Sequence, residues 1–109
     1  MKRHCFALDL INDHELISEY KKYHKQIWPE ITKSIQFSGI ENLEIYLTGN
    51  RLFMIMEVNE TFSFEKKTAM DLANLKVQEW ESLIWKYQQK LPFTKEGEKR
   101  ILMDTIYQL

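Results

Sequence analysis

The sequence predicts an α+β fold of the ferredoxin-like kind, βαββαβ, an antiparallel sheet with helices packed on one face. Three patterns lead there. Residues 5–10 alternate with the period of a half-buried strand; Gly49-Asn50 parts two further alternating runs as the loop of a hairpin does; and apolar residues recur at steps of three and four from Leu16 to Ile35 and again from Val77 to Leu91.

In the first strand Phe6, Leu8 and Leu10 face one way and Cys5, Ala7 and Asp9 the other. Asn12 followed three residues later by Glu15 has the form of a capping box, and the helix it opens carries Leu16, Tyr20, Tyr23, His24, Ile27, Ile31 and Ile35 along one stripe. Pro29 lacks the N–H that bonds back one turn, so this helix is expected to kink near Trp28 before Gly39 ends it. Residues 43–48 and 51–58 form the hairpin, with Gly49 opening a turn of the II′ type. Pairing Thr48 with Arg51 puts Leu43, Ile45, Leu47, Leu52, Met54, Met56 and Val58 on one face and Glu44, Tyr46, Arg51, Phe53 and Glu57 on the other. The first face needs a cover of helices. The second, mixed and aromatic, suits contact with another subunit. Residues 61–72 and 77–90 read as helical, the latter with Val77, Trp80, Leu83, Ile84, Tyr87 and Leu91 on one stripe before Pro92. A charged loop at 94–99 leads to a final strand at 101–107.

With 109 residues the chain has room for one domain, and 15 basic against 16 acidic residues leave no field to hold nucleic acid or an anionic membrane. The longest apolar run, Leu52-Phe53-Met54-Ile55-Met56, falls far short of a bilayer span. Nothing at the start reads as a secretion signal, so a cytoplasmic location is expected. One cysteine, Cys5, allows no internal disulfide and no thiolate metal site. Fourteen aromatic residues are many for so small a core, so some either line a pocket or are shared with a second subunit.

Three glycines cannot build a phosphate cradle, and no nucleotide, zinc or nucleophile-elbow motif is present. Tyr20, His24 and Trp28 stand at steps of four, a phenol, an imidazole and an indole on one stripe that can floor a small pocket. Imidazole titrates near neutrality, which makes His24 the best general acid or base in the chain. A helix-surface histidine between core aromatics fits the same spacing. His4 and His14 are given no role. Trp80 and Glu81 begin the inward stripe of the last helix, where an indole can stack on a sugar and a carboxylate accept from its hydroxyls; on spacing alone an ordinary core Trp80 and a solvated first-turn Glu81 are the simpler reading. The run Glu65-Lys66-Lys67 reads as a wet helix face.

Tyr20-x-x-x-His24-x-x-Ile27-Trp28-Pro29-Glu30 resembles the L-rhamnose mutarotase family, dimeric ferredoxin-like α/β barrels that interconvert the α and β anomers of a free sugar. The resemblance continues through Asn42-x-x-Ile45-Tyr46-Leu47, Val77-Gln78-x-Trp80 and Asp104-x-x-Tyr107, and only residues 87–99 differ in length. It implies that His24 is catalytic and that Tyr20, Leu43, Trp80 and Glu81 bind substrate. Leu43 stands where the family has a strand tyrosine, and Glu81 where it has a second tryptophan, unless Trp85 takes that place. The resemblance further implies no cofactor, no metal, a monosaccharide partner and a homodimer, without nucleic acid or membrane. A 6-deoxy-L-hexose, L-rhamnose or L-fucose, is the implied substrate, with His24 protonating the ring oxygen and Glu81, Tyr20 or a water handling the anomeric proton. A non-catalytic dimeric binding module and a cofactor-free oxygenase of similar fold remain the alternatives.

Overall fold

The computed structural model describes residues 1–109. The elements are β1 (Lys2–Leu10), α1 (His14–Lys25), α2 (Pro29–Phe37), β2 (Ile40–Thr48), β3 (Arg51–Val58), α3 (Phe64–Leu72), α4 (Leu75–Trp85), β4 (Gln88–Gln89) and β5 (Ile101–Leu102). The sheet runs β2-β3-β1-β4, with β5 also on β1, and every pairing is antiparallel. Taking α1 with α2 and α3 with α4 as the two helical connections, this is the ferredoxin-like order.

The hairpin forms as its alternation requires. Thr48 pairs with Arg51, and Leu47, Ile45 and Leu43 lie opposite Leu52, Met54 and Met56. Gly49 takes φ +58 while no other residue of the turn leaves negative φ, the sign pattern of a II′ turn. A bulge at Glu41 shifts the register so that Ile40 still reaches Val58 on the covered face.

Four elements differ from the sequence reading, each for a local reason. Asp13, not Asn12, caps α1, accepting the Leu16 N–H at 3.0 Å. The expected kink is a full break: the residue before a proline is pushed out of the helical region, so Trp28 sits at φ −55, ψ 135 and Pro29 begins a separate helix. The last helix stops at Trp85, because Gln88 and Gln89 pair with Leu10 and Asp9 on the open edge of β1. Finally, the C-terminal strand is only Ile101–Leu102, followed by one more bond from the Met103 N–H to the Cys5 carbonyl at 2.8 Å, after which the chain leaves the sheet.

Buried apolar residues gather in three groups. Phe6, Ile40, Met56 and Val58 form one on the sheet; Leu8, Leu10, Tyr20 and Leu52 join the sheet to α1; Ile31, Val77 and Trp80 bind α2 to α4. Members of all three border one cavity, so the two layers are held apart at their centre.

Gly39 ends α2 at φ +101, and a Cβ there lies 2.7 Å from Asn59 Oδ1, 2.8 Å from Thr61 Oγ1 and 3.0 Å from the Phe62 nitrogen. Gly39→Ala is therefore expected to lose about 1–3 kcal/mol from backbone strain alone, with the contacts adding to it. Gly49→Ala meets no atom within 4 Å and loses about 1 kcal/mol. Thermal unfolding of both variants checks the order.

Candidate functional site

The cavity between the sheet and the helices measures about 560 Å³. Phe6, Leu52 and Met54 supply its floor from the sheet, Ile31 and Val77 close it from α2 and α4, and Tyr20, His24, Trp80 and Glu81 border it. Leu43 reaches it from β2, inside the sheet, whereas Tyr46 two strand positions from Glu44 lies on the opposite face and donates to Glu44 Oε2 at 2.6 Å.

His24 stands in the last turn of α1, half-buried. Its Nδ1 is 2.8 Å from the Tyr20 carbonyl oxygen. A carbonyl only accepts, so Nδ1 carries the hydrogen and the neutral ring keeps its lone pair on Nε2. The imidazole lies over Tyr20, centroids 4.4 Å apart at 31°, and meets the Trp80 ring at 5.6 Å and 65°. Burial pushes its pKa below 6.5, against a weaker opposite pull from the Tyr20 backbone.

Tyr20 is buried, and its hydroxyl accepts from Gln88 Nε2 at 3.4 Å, which leaves the phenolic hydrogen free to donate. Burial raises its pKa, with Gln88 and then Arg100 opposing, so the phenol stays protonated. Trp28 does not join the cavity. The helix break carries its ring to the back of Trp80, at 5.2 Å and 69°, where it props the indole.

Glu81 follows Trp80 on α4 and is exposed at the cavity edge. Burial, then the charge of Asp71, raises its carboxyl pKa, while Lys67 and Arg100 act the other way. Trp85, one turn further on, borders the same cavity, so an acid and a second indole are both present there.

The sequence reading missed Lys67, Asp71, Gln88, Lys99 and Arg100, all of which border the cavity. Lys67 is not on a wet face: its Nζ donates to both oxygens of Asp71 at 2.7 Å, and the side chains are only 22% and 14% exposed. The signal lay in Phe64, Lys67 and Asp71, spaced by three and four on α3. Lys99 ties the long β4–β5 loop down, donating to the Trp85 and Gln88 carbonyls at 2.8 Å each, with its ammonium 3.9 Å above the Trp85 ring. No three His, Cys, Asp or Glu side chains gather where they could hold a metal ion.

Residues 3–109 match the family described as L-rhamnose mutarotase. An L-fucose mutarotase from Xanthomonas campestris is 42% identical over 101 residues, covering 91% of this chain and 81% of that one. An L-rhamnose mutarotase from Oceanobacillus iheyensis is 26% identical over 95% of this chain and 92% of its own. Among solved structures, an L-rhamnose mutarotase from Formosa agariphila superposes with a TM-score of 0.73 over 100% of this chain and 99% of that chain, at 20% identity.

His24 is expected to titrate below 6.5, with Nδ1 protonated in its neutral form, as ¹⁵N-detected NMR will show. The unfolded chain then binds its proton first on acidification. Stability from this group is complete above pH 6.5 and is lost as pH falls from there through the folded pKa. His24→Gln, which cannot titrate, is expected to flatten that part of the stability profile.

Proposed function

We propose, for a chain that belongs to the L-rhamnose mutarotase family, that it interconverts the α and β anomers of a free 6-deoxy-L-hexose in the cytoplasm, with His24 as the proton carrier. L-Fucose is the preferred reading over L-rhamnose, because the relative of that name is 42% identical and the L-rhamnose mutarotase from Oceanobacillus 26%. The observation that carries the mechanism is the pinned imidazole: Nδ1 is held by the Tyr20 carbonyl and Nε2 is left open beside the cavity.

Ring opening takes a proton from the anomeric hydroxyl and gives one to the ring oxygen; closure on the other face of C1 reverses both. Near neutral pH the imidazole holds a single hydrogen, so Nε2 accepts before it donates. It takes the anomeric proton as the C1–O5 bond breaks, and the imidazolium so formed delivers a proton to O5. The Tyr20 phenol, kept protonated by burial, donates a hydrogen bond to O5 while charge develops there. Trp80 stacks on the C–H face of the sugar, and Leu43 packs against its apolar side. Glu81 accepts from a ring hydroxyl. No step needs an electron acceptor or a second substrate.

The outer face of the sheet supports a homodimer. Phe53 lies opposite Ala7 and Tyr46, and Ile55 opposite Cys5 and Glu44, an apolar centre with charged edges. Phe53→Glu is expected to yield a monomer in analytical ultracentrifugation.

Saturation transfer between the anomer signals of L-fucose measures the rate. His24→Asn is expected to lower it about 10²–10⁴-fold, and Tyr20→Phe to lower it less. Because the neutral imidazole is the working form, wild-type activity is level above pH 6.5 and falls on acidification through the depressed pKa. A His24→Asn protein exchanging anomers at the wild-type rate removes the mechanism, and a wild type indifferent to every free sugar leaves the binding-module reading.

A further inference from the structure

The cavity has two chemically different ends. At one, the neutral His24 lies over the neutral Tyr20 and meets the Trp80 indole. At the other, α3 contributes an ion pair that the packing has turned inward, Lys67 with Asp71. α3 packs chiefly on α4, so α4 stands between the two ends, presenting Trp80 to His24 and the adjacent Glu81 toward the ion pair. Arg100 lies within coulombic reach of both Tyr20 and Glu81, which ties the two ends into one site.

Lys67 borders the cavity from α3 on the same face as Phe64 and Asp71, with only 22% of its side chain exposed. Asp71 engages Lys67 Nζ through both carboxylate oxygens at 2.7 Å. An ammonium has three N–H donors in a tetrahedral spread, so this grip fixes its position and leaves a donor for something in the cavity. Glu81 is held by no salt bridge. A fixed donor and an open acceptor border the same space. Neighbouring hydroxyls on a pyranose ring offer the matching arrangement, one accepting and the next donating.

We propose that Lys67 and Glu81 are the specificity pair of this enzyme, reading the hydroxyls on C3 and C4 of the sugar, and that Asp71 is the positioning residue of Lys67. The assignment rests on the mutarotase reading. With C1 and O5 at His24, C3 and C4 lie across the ring, toward the charged end. L-Fucose carries its 4-hydroxyl axial and L-rhamnose carries it equatorial, so a reader placed there separates the two, whereas the proton transfer at C1 is common to both.

The experiment compares wild type, Lys67→Met, Glu81→Gln and Asp71→Asn on L-fucose, L-rhamnose and the 3-deoxy and 4-deoxy analogues of whichever sugar the wild type prefers. Lys67→Met and Glu81→Gln are each expected to raise KM about 10- to 100-fold, the factor for losing a hydrogen bond to a charged group, with kcat within about threefold and the preference between the two sugars reduced. Asp71→Asn is expected to raise KM less, again with kcat kept. On the deoxy analogue that lacks the hydroxyl it reads, each variant is expected to match wild type within about threefold. Since Lys67→Met leaves Asp71 without its partner, the double variant Lys67→Met/Asp71→Leu, which puts an apolar pair there, is made alongside and is expected to show the same rise in KM. Variants that lose thermal stability but keep wild-type KM and sugar preference overturn the assignment and leave the mutarotase reading standing. A wild type that neither binds nor exchanges any of these sugars overturns both.

Discussion

The break at Pro29 sets the shape of this molecule. A residue before proline is driven out of the helical region, so the apolar stripe that the sequence writes as one long helix is delivered on two axes. α1 brings Tyr20 down onto Leu8, Leu10 and Leu52 at one end of the sheet. α2 takes Ile31 to Val77 and Trp80 instead. Two helices leave the centre open, and Trp28, freed at the break, braces Trp80 from behind. The hollow thus lies between two helices whose axes part at a single peptide, with aromatic packing around it.

That hollow also explains the division of electrostatic labour. Where packing excludes water, charge is expensive, and the two side chains best able to move protons are both driven toward their neutral forms: His24 by burial downward, Tyr20 by burial upward. A neutral imidazole beside a neutral phenol places a hydrogen-bond acceptor and a donor side by side at the cavity. Among the charged side chains that border the cavity, Lys67 and Asp71 form a salt bridge. The tautomer of His24 is fixed in the same economical way, by a backbone carbonyl one helical turn earlier, so no further side chain is needed to orient it.

Much of this was written in the sequence at short range. The hairpin register followed from strict alternation around Gly49-Asn50, because a slip by one residue would expose every apolar side chain of both strands. Tyr20 and His24 shared a stripe because a helix has only one period, and the motif around them carried the family resemblance. What the sequence withheld depended on long-range competition. Gln88 and Gln89 are good helix residues by composition, yet the unpaired edge of β1 claims them, and it is this pairing that brings Gln88 to the Tyr20 hydroxyl. Lys67 looked solvated beside Glu65 and Lys66, since charge in a run ordinarily marks an exposed face. Only the packing of α3 on α4 shows which of the two lysines is turned in.

A site built this way trades stability for chemistry in a manner visible in the core itself. Only 16 of 109 residues are buried, and the apolar clusters among them are three, each with members bordering one open space, rather than one. Filling the hollow with larger apolar side chains would add dispersion contacts and close the space. The surrounding structure compensates at the rim: Asp9 and Arg51 lock β1 to β3 through bonds of 2.8 and 3.1 Å, Asn50 ties the hairpin turn to Leu10, and Lys99 fastens the β4–β5 loop to the end of α4. Polar connections thus hold the periphery where an apolar centre would ordinarily hold the whole. The arrangement keeps His24, Tyr20 and Trp80 in fixed relation around a space that remains open.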